Sequence, residues 1–177
     1  PARAISKLII DIPELTARED HRGIVMATVV CVRIGEEAFG TNAGFGQLML
    51  TIRAEFESEL DALDAEICAR ARAYARQDGI TNVEVQYRDS FPETRNTPDA
   101  VAAVRKARLE CGLPEARWDE PFRSSEDFGC YTKLTSGALF YIGCGTRHAK
   151  LHTREYDFND EIIEPAVDMM FRLAQDA

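Results

Sequence analysis

No apolar run in these 177 residues approaches the roughly 20 needed to cross a bilayer, and no signal-peptide pattern occurs in them. Positive charge is scarce: 21 Lys and Arg face 30 Asp and Glu, a net charge of −9. That balance weighs against nonspecific binding to nucleic acid or to an anionic membrane, so neither is expected as a partner. The five cysteines (31, 68, 111, 130 and 144) are odd in number and lack any C-x-x-C spacing. Their arrangement excludes a disulfide framework or a cysteine zinc site as the expectation, and favours reduced thiols in a cytoplasmic setting. Internal repeats and low-complexity segments are absent too. Histidine is limited to His21, His148 and His152, so imidazole chemistry has three places to occur.

What is present has ordinary globular proportions, 45% apolar and 29% charged, enough for a sizeable core. The chain starts without methionine and inside a helical pattern, so a fragment of a longer protein is expected. Ile5, Leu8, Ile9 and Ile12 form the stripe of an amphipathic helix that Pro13 should end. After a charged loop with a solvated His21, residues 24–34 alternate, with Ile24, Met26, Thr28, Val30, Val32 and Ile34 on one face. Residues 47–55 alternate again, Leu48, Leu50 and Ile52 facing one way, which reads as an antiparallel pair. The clearest helix spans 56–78, with a stripe of Phe56, Leu60, Leu63, Ile67, Ala71 and Tyr74, acids at its start and arginines at its end. Gly79 should stop it. A strand over 82–88 follows.

Residues 1–92 therefore read helix, strand, strand, helix, strand; one more strand in front would make the ferredoxin-like β-α-β-β-α-β split. Beyond them, Thr97 is a candidate cap with Pro98 at the first helical position. Ser124 and Ser125, followed by Glu126 and Asp127, suit a capped helix start. An apolar strand over 137–144 closes in Gly143 and Gly145, then a loop carries His148 and His152. Asn159 can cap the last helix, apolar at Val167, Met170 and Ala174. A loop histidine is ordinarily a solvated side chain.

Three blocks change that weighting: SSEDFGCY (124–131), GALFYIGCG (137–145) and LHTREYDFND (151–160). In this order and spacing they resemble the end of a zinc amidohydrolase of the aminoacylase and carboxypeptidase superfamily, nearest to its N-acyl-amino-acid amidohydrolase branch. FPETRN at 91–96 resembles that family's crossing back into its catalytic domain, and TIR at 51–53 its lid strand. The resemblance implies an α+β chain: a ferredoxin-like lid, or dimerisation, domain over 1–92, then the C-terminal α/β portion of a co-catalytic zinc hydrolase domain over 93–177. It implies that His152 is a metal ligand, and that Glu126 or Asp127 could orient a ligand by hydrogen bonding. The substrate contacts it points to are Arg53 and Asn42, although many members carry N-V-I-P before that strand and this chain has GTNA at 40–43.

The implied reaction is cleavage of the amide bond of an N-acyl amino acid or small peptide, with two zinc ions, or other divalent metals, in the intact parent and a homodimer formed through the lid. The remaining ligands and the general base belong to the N-terminal part of that catalytic domain, and nothing in this chain matches them. The fragment alone is expected to be inactive, with no catalytic residue of its own assigned. The alternative is a non-catalytic protein that keeps the lid as a dimerisation or ligand-binding module.

Overall fold

The computed structural model describes residues 1–116, 118 and 120–175. The architecture is α+β, and the chain divides into two compact units. The first comprises Pro1–Glu93 with Pro121–Ser125, and the second Thr94–Glu120 with Glu126–Ala177.

In the first unit, α1 (Ala2–Thr16) and α2 (Glu57–Gln77) pack on one face of an antiparallel pair, β1 (Val25–Ile34) and β2 (Gly46–Ala54). Leu8 and Leu15 of α1, Val25 of β1, and Leu63 and Ile67 of α2 make the buried cluster, with Ala27, Leu48, Leu50 and Ile52 against it. Removing a side chain of this size from water contributes about 1.5–3 kcal/mol. Gly46 lets α1 approach: a Cβ there would lie 2.7 Å from Ile5 Cδ1.

Pro13 does not end α1, which runs on to Thr16. Proline removes its own N–H bond to the carbonyl four residues back, but the Ala17 N–H still reaches the Pro13 carbonyl at 3.0 Å and burial of Leu15 holds the last turn. His21 is not solvated. Its side chain is only 18% exposed, Nε2 donates to the Leu15 carbonyl at 3.0 Å, and Nδ1 lies 3.7 Å from Glu59 Oε1. Polar groups tie α1 to α2 as well: Tyr74 donates its hydroxyl to Asp11, and Arg70 bridges Asp11 at 3.0 Å and Glu66 at 2.7 Å. The Tyr74 hydrogen bond, with Arg70 beside it, holds the Asp11 carboxyl below its ordinary range.

The alternation in β1 is not one continuous face. Val29 pairs with Leu50 and Cys31 with Met49, so Val30 is a bulge without a partner, 62% exposed. Paired residues share a face, so Val25, Ala27 and Val29 lie on the helix side before the bulge and Val32 and Ile34 after it. The expected set of Met26, Thr28 and Val30 with Val32 and Ile34 therefore splits at Val30. In β2 the inward face of Leu48, Leu50 and Ile52 is as expected.

α2 stops in a Schellman turn: Gly79 takes φ +73°, and Ile80 N–H bonds the Ala75 carbonyl at 2.8 Å. At the other end the Glu93 carboxylate accepts from Glu57 N at 2.9 Å, supplying one of the acceptors that a helix start needs. Among the described residues, 82–88 pair in no ladder. Tyr87 fastens them to α2 instead, donating to Asp64 at 2.8 Å. Among the described residues β1 and β2 form the sole sheet.

In the second unit α3 (Pro98–Glu110) lies against α5 (Ile163–Gln175), with Ala107 and Met169 their most buried residues. The short α4 (Gly129–Thr132) begins later than Ser124 and Ser125, after Phe128 and without a side-chain cap, so the expected serine cap does not form. The run 137–144 is likewise outside any ladder, because no neighbouring strand bonds its backbone among the described residues. Trp118 is largely exposed and on no strand.

Candidate functional site

The loop carrying His148 and His152 is built from both ends. At its start, the run 137–144 is stitched to the segment ahead of α3. Asn96 imitates a backbone partner: its Nδ2 donates to the Leu139 carbonyl at 2.8 Å and its Oδ1 accepts from Leu139 N at 2.9 Å. Thr97 N bonds the Gly137 carbonyl at 2.9 Å. The Thr97 hydroxyl accepts from Gly137 N at 3.2 Å and lies 2.6 Å from Ser136 Oγ, which donates to Asp99 Oδ2 at 2.6 Å. Each hydroxyl has one proton, so the chain of bonds runs from Gly137 N through Thr97 and Ser136 to the carboxylate. Ser136, then Thr97, draw the Asp99 carboxyl down to about 2. Thr97 is thus the residue before α3, as expected, but its hydroxyl serves the stitch and not the helix.

At the far end Asn159 has two tasks. Its Oδ1 accepts from Glu161 N at 3.1 Å, capping the 3-10 turn Asp160–Ile162 that leads into α5. Its Nδ2 donates to the Cys144 carbonyl at 3.2 Å, which closes the base of the intervening loop. Within the loop, Thr153 Oγ1 donates to the Lys150 carbonyl at 2.7 Å. His152 takes φ +66°, a left-handed conformation that non-glycine residues adopt at a cost of about 1–2 kcal/mol. Its imidazole is exposed and makes no hydrogen bond or ion pair among the described residues. His148 differs: its Nδ1 donates to the Ala149 carbonyl at 2.8 Å.

The other residues singled out by the sequence are spread over both units. Glu126 and Asp127 are exposed just ahead of α4, where the Asp127 carbonyl accepts from Cys130 N at 2.9 Å. Arg53 is half-buried on β2 and gives Nη1 to the Arg123 carbonyl. Asn42 is exposed in the loop between β1 and β2. No three His, Cys, Asp or Glu side chains gather as a metal site among the described residues. One imidazole is too few, since catalytic zinc takes at least three protein donors. The described residues therefore do not fit a complete metal centre. Asn96, Ser136 and Asp99 had no signal in the sequence beyond the N of FPETRN, because side-chain pairing with a main chain 40 residues away leaves no periodic trace.

The chain belongs to the peptidase family M20/M25/M40, whose model matches residues 4–176. It is 27% identical over 133 residues to an uncharacterized hydrolase of Staphylococcus haemolyticus (strain JCSC1435), an alignment covering 72% of this chain and 34% of that protein. Its fold matches the crystal structure of a protein provisionally assigned as an aminohydrolase, from methicillin-resistant Staphylococcus aureus. That match has a TM-score of 0.74 at 18% identity and covers 98% of this chain and 45% of the other. The chain thus spans less than half the length of these relatives. No helix among the described residues is long and apolar enough to cross a membrane.

Proposed function

We propose that this chain is the C-terminal portion of a metal-dependent hydrolase cleaving the amide bond of N-acyl amino acids or small peptides, and that His152 is one of its metal ligands. The observation that carries this reading is the presentation of His152. Its left-handed turn sits in a loop closed at its base by Asn159, and its imidazole is unengaged among the described residues. In the family that the chain belongs to, the LHTREYDFND pattern is where the resemblance puts a ligand. Zinc, bound as a pair in the intact protein, is the metal the resemblance implies. The other ligands lie outside these 177 residues, so the chain alone is inactive. Glu126 or Asp127 orients a ligand, and Arg53 and Asn42 of the lid reach substrate. Residues 1–92 form the lid and a homodimer through it, testable by sedimentation at tens of micromolar, where a monomer in both chain and intact protein removes the dimer.

The test of the ligand is His152→Ala in the full-length protein, read by metal content from mass spectrometry beside an N-acyl amino acid hydrolysis assay. The expected result is loss of metal and a fall in turnover of about 100-fold or more, with His148→Ala costing far less. Stoichiometric zinc and turnover in the 177-residue chain alone, or full metal occupancy in the His152→Ala protein, overturns the reading. The lack of a gathered metal-type cluster among the described residues favours one other reading, a non-catalytic dimerisation or ligand-binding module. A full-length protein that binds metal nowhere and hydrolyses no amide decides for it.

A further inference from the structure

The loop that presents His152 is charged against the trend of the whole molecule. Residues 145–154 read GTRHAKLHTR, with Arg147, Lys150 and Arg154 and no acidic residue, in a chain of net charge −9. All three cationic side chains are exposed, and none has an ion pair or side-chain hydrogen bond among the described residues. Some arginines elsewhere are engaged, Arg18 with Asp20, Arg70 with Asp11 and Glu66, Arg108 with Glu115. Others, such as Arg72, Arg88 and Arg95, are also unpaired among the described residues. What sets this loop apart is three such cations within eight residues and no acid among them. Glu155 and Asp157 follow closely, yet neither pairs with the loop cations among the described residues. The Nδ1 of His148 is committed to the Ala149 carbonyl, so in the neutral ring Nε2 is left as an acceptor and offers an anion nothing.

We propose that residues 145–154 form a cationic specificity loop that selects substrates carrying a second carboxylate beside the α-carboxylate of an N-acyl amino acid. The inference rests on the reading of His152 as an active-site residue. An ordinary N-acyl amino acid brings one carboxylate, which one guanidinium satisfies in a bidentate contact. Three unpaired cations within eight residues exceed that need and match a dianion. The second carboxylate can sit on the amino-acid side chain or on the acyl group. Exposed charges act over about 8–10 Å at moderate salt, so the loop both steers such a substrate and holds it, and added salt weakens both effects.

The experiment uses the full-length protein stripped of metal, so that binding is read without turnover. Calorimetry compares N-acetyl-L-glutamate with its monoanionic isostere N-acetyl-L-glutamine, and N-succinyl-L-alanine with N-acetyl-L-alanine. The expected result is tighter binding of at least one dianion by about tenfold, equivalent to 1.4 kcal/mol, shrinking toward parity near 0.5 M salt. Whichever dianion gains shows where the second carboxylate lies. Arg147→Gln with Lys150→Gln should remove the preference, the affinity for the dianion falling to that for its monoanionic partner. Equal binding within each pair, no binding of any probe, or a preference that survives the double substitution overturns the proposal. Hydrolysis with the metal restored separates the two readings. A preference without hydrolysis removes the amidase and keeps the anion-selective loop, whereas hydrolysis without preference does the reverse.

Discussion

The two units bury apolar residues to different extents. In the first, Leu8, Leu15, Leu63 and Ile67 close a core between two helices and a sheet. In the second, α5 buries Met169 but turns Val167, Met170 and Phe171 to solvent, the last 60% exposed, and Leu134 beyond α4 is 88% exposed. A helix apolar on both sides is ordinarily covered on both. The first unit therefore carries its stability in packing, and the second in polar stitches of named side chains to main chain. On the proposed reading, the outward face of α5 is covered by the rest of the catalytic domain.

Leu63→Ala tests the packed unit and carries the largest expected effect on stability, about 2–5 kcal/mol, as a drop in the denaturant midpoint of the first unit. A loss under 1 kcal/mol would mean that this core is not what holds the unit. Asn96→Ala tests the stitched unit: two hydrogen bonds to Leu139 go, at about 1–2 kcal/mol together, seen as faster amide exchange at Leu139. Acid should loosen the same stitch. The folded Asp99 carboxyl lies near 2, below its ordinary 3.8, so its contribution is complete above about pH 4 and is lost as pH falls toward 2. Asp99→Asn should flatten that part of the pH profile of thermal melts, and an unchanged profile counts against the assignment. The smallest effect is expected at Phe171→Ser, within about 0.5 kcal/mol in the 177-residue chain, since the side chain is already in solvent. A large loss in the full-length protein beside a small one in this chain would show the face to be covered there.

Sequence served best where one face meets water and the other a core. The long helix was expected over 56–78 and is Glu57–Gln77, because its stripe and its glycine stop are both local signals. The pairing of β1 with β2 is legible for the same reason. Alternation could not reveal the bulge at Val30, which moves Val32 and Ile34 to the other face from the one Met26 and Thr28 occupy. Runs 82–88 and 137–144 have strand composition, but a strand is defined by its neighbour, and side chains from Tyr87 and Asn96 hold them instead. On α5 the apolar positions Val167, Met170 and Ala174 stand out in the sequence, whereas Met169 is the one that is buried. Periodicity marks both apolar sides of such a helix alike. At the site, the block containing His152 was conspicuous in the sequence; the cationic excess around it lay in plain composition, and its lack of ion pairs needed coordinates.

The stitch between Asn96 and Leu139 also bears on the order of folding. Its partners lie 43 residues apart, and those of Thr97 and Gly137 lie 40 apart. Closing a loop of that length costs on the order of 3 kcal/mol in chain entropy before any bond is made. A single hydrogen bond contributes about 1 kcal/mol, so one alone cannot hold the ends together. Several of the bonds at Asn96, Thr97 and Ser136 must form in concert, so the stitch closes as one cooperative event once α3 exists. Refolding followed residue by residue should accordingly show Gly137 and Leu139 gaining protection together, after the amides of α3 and not before them.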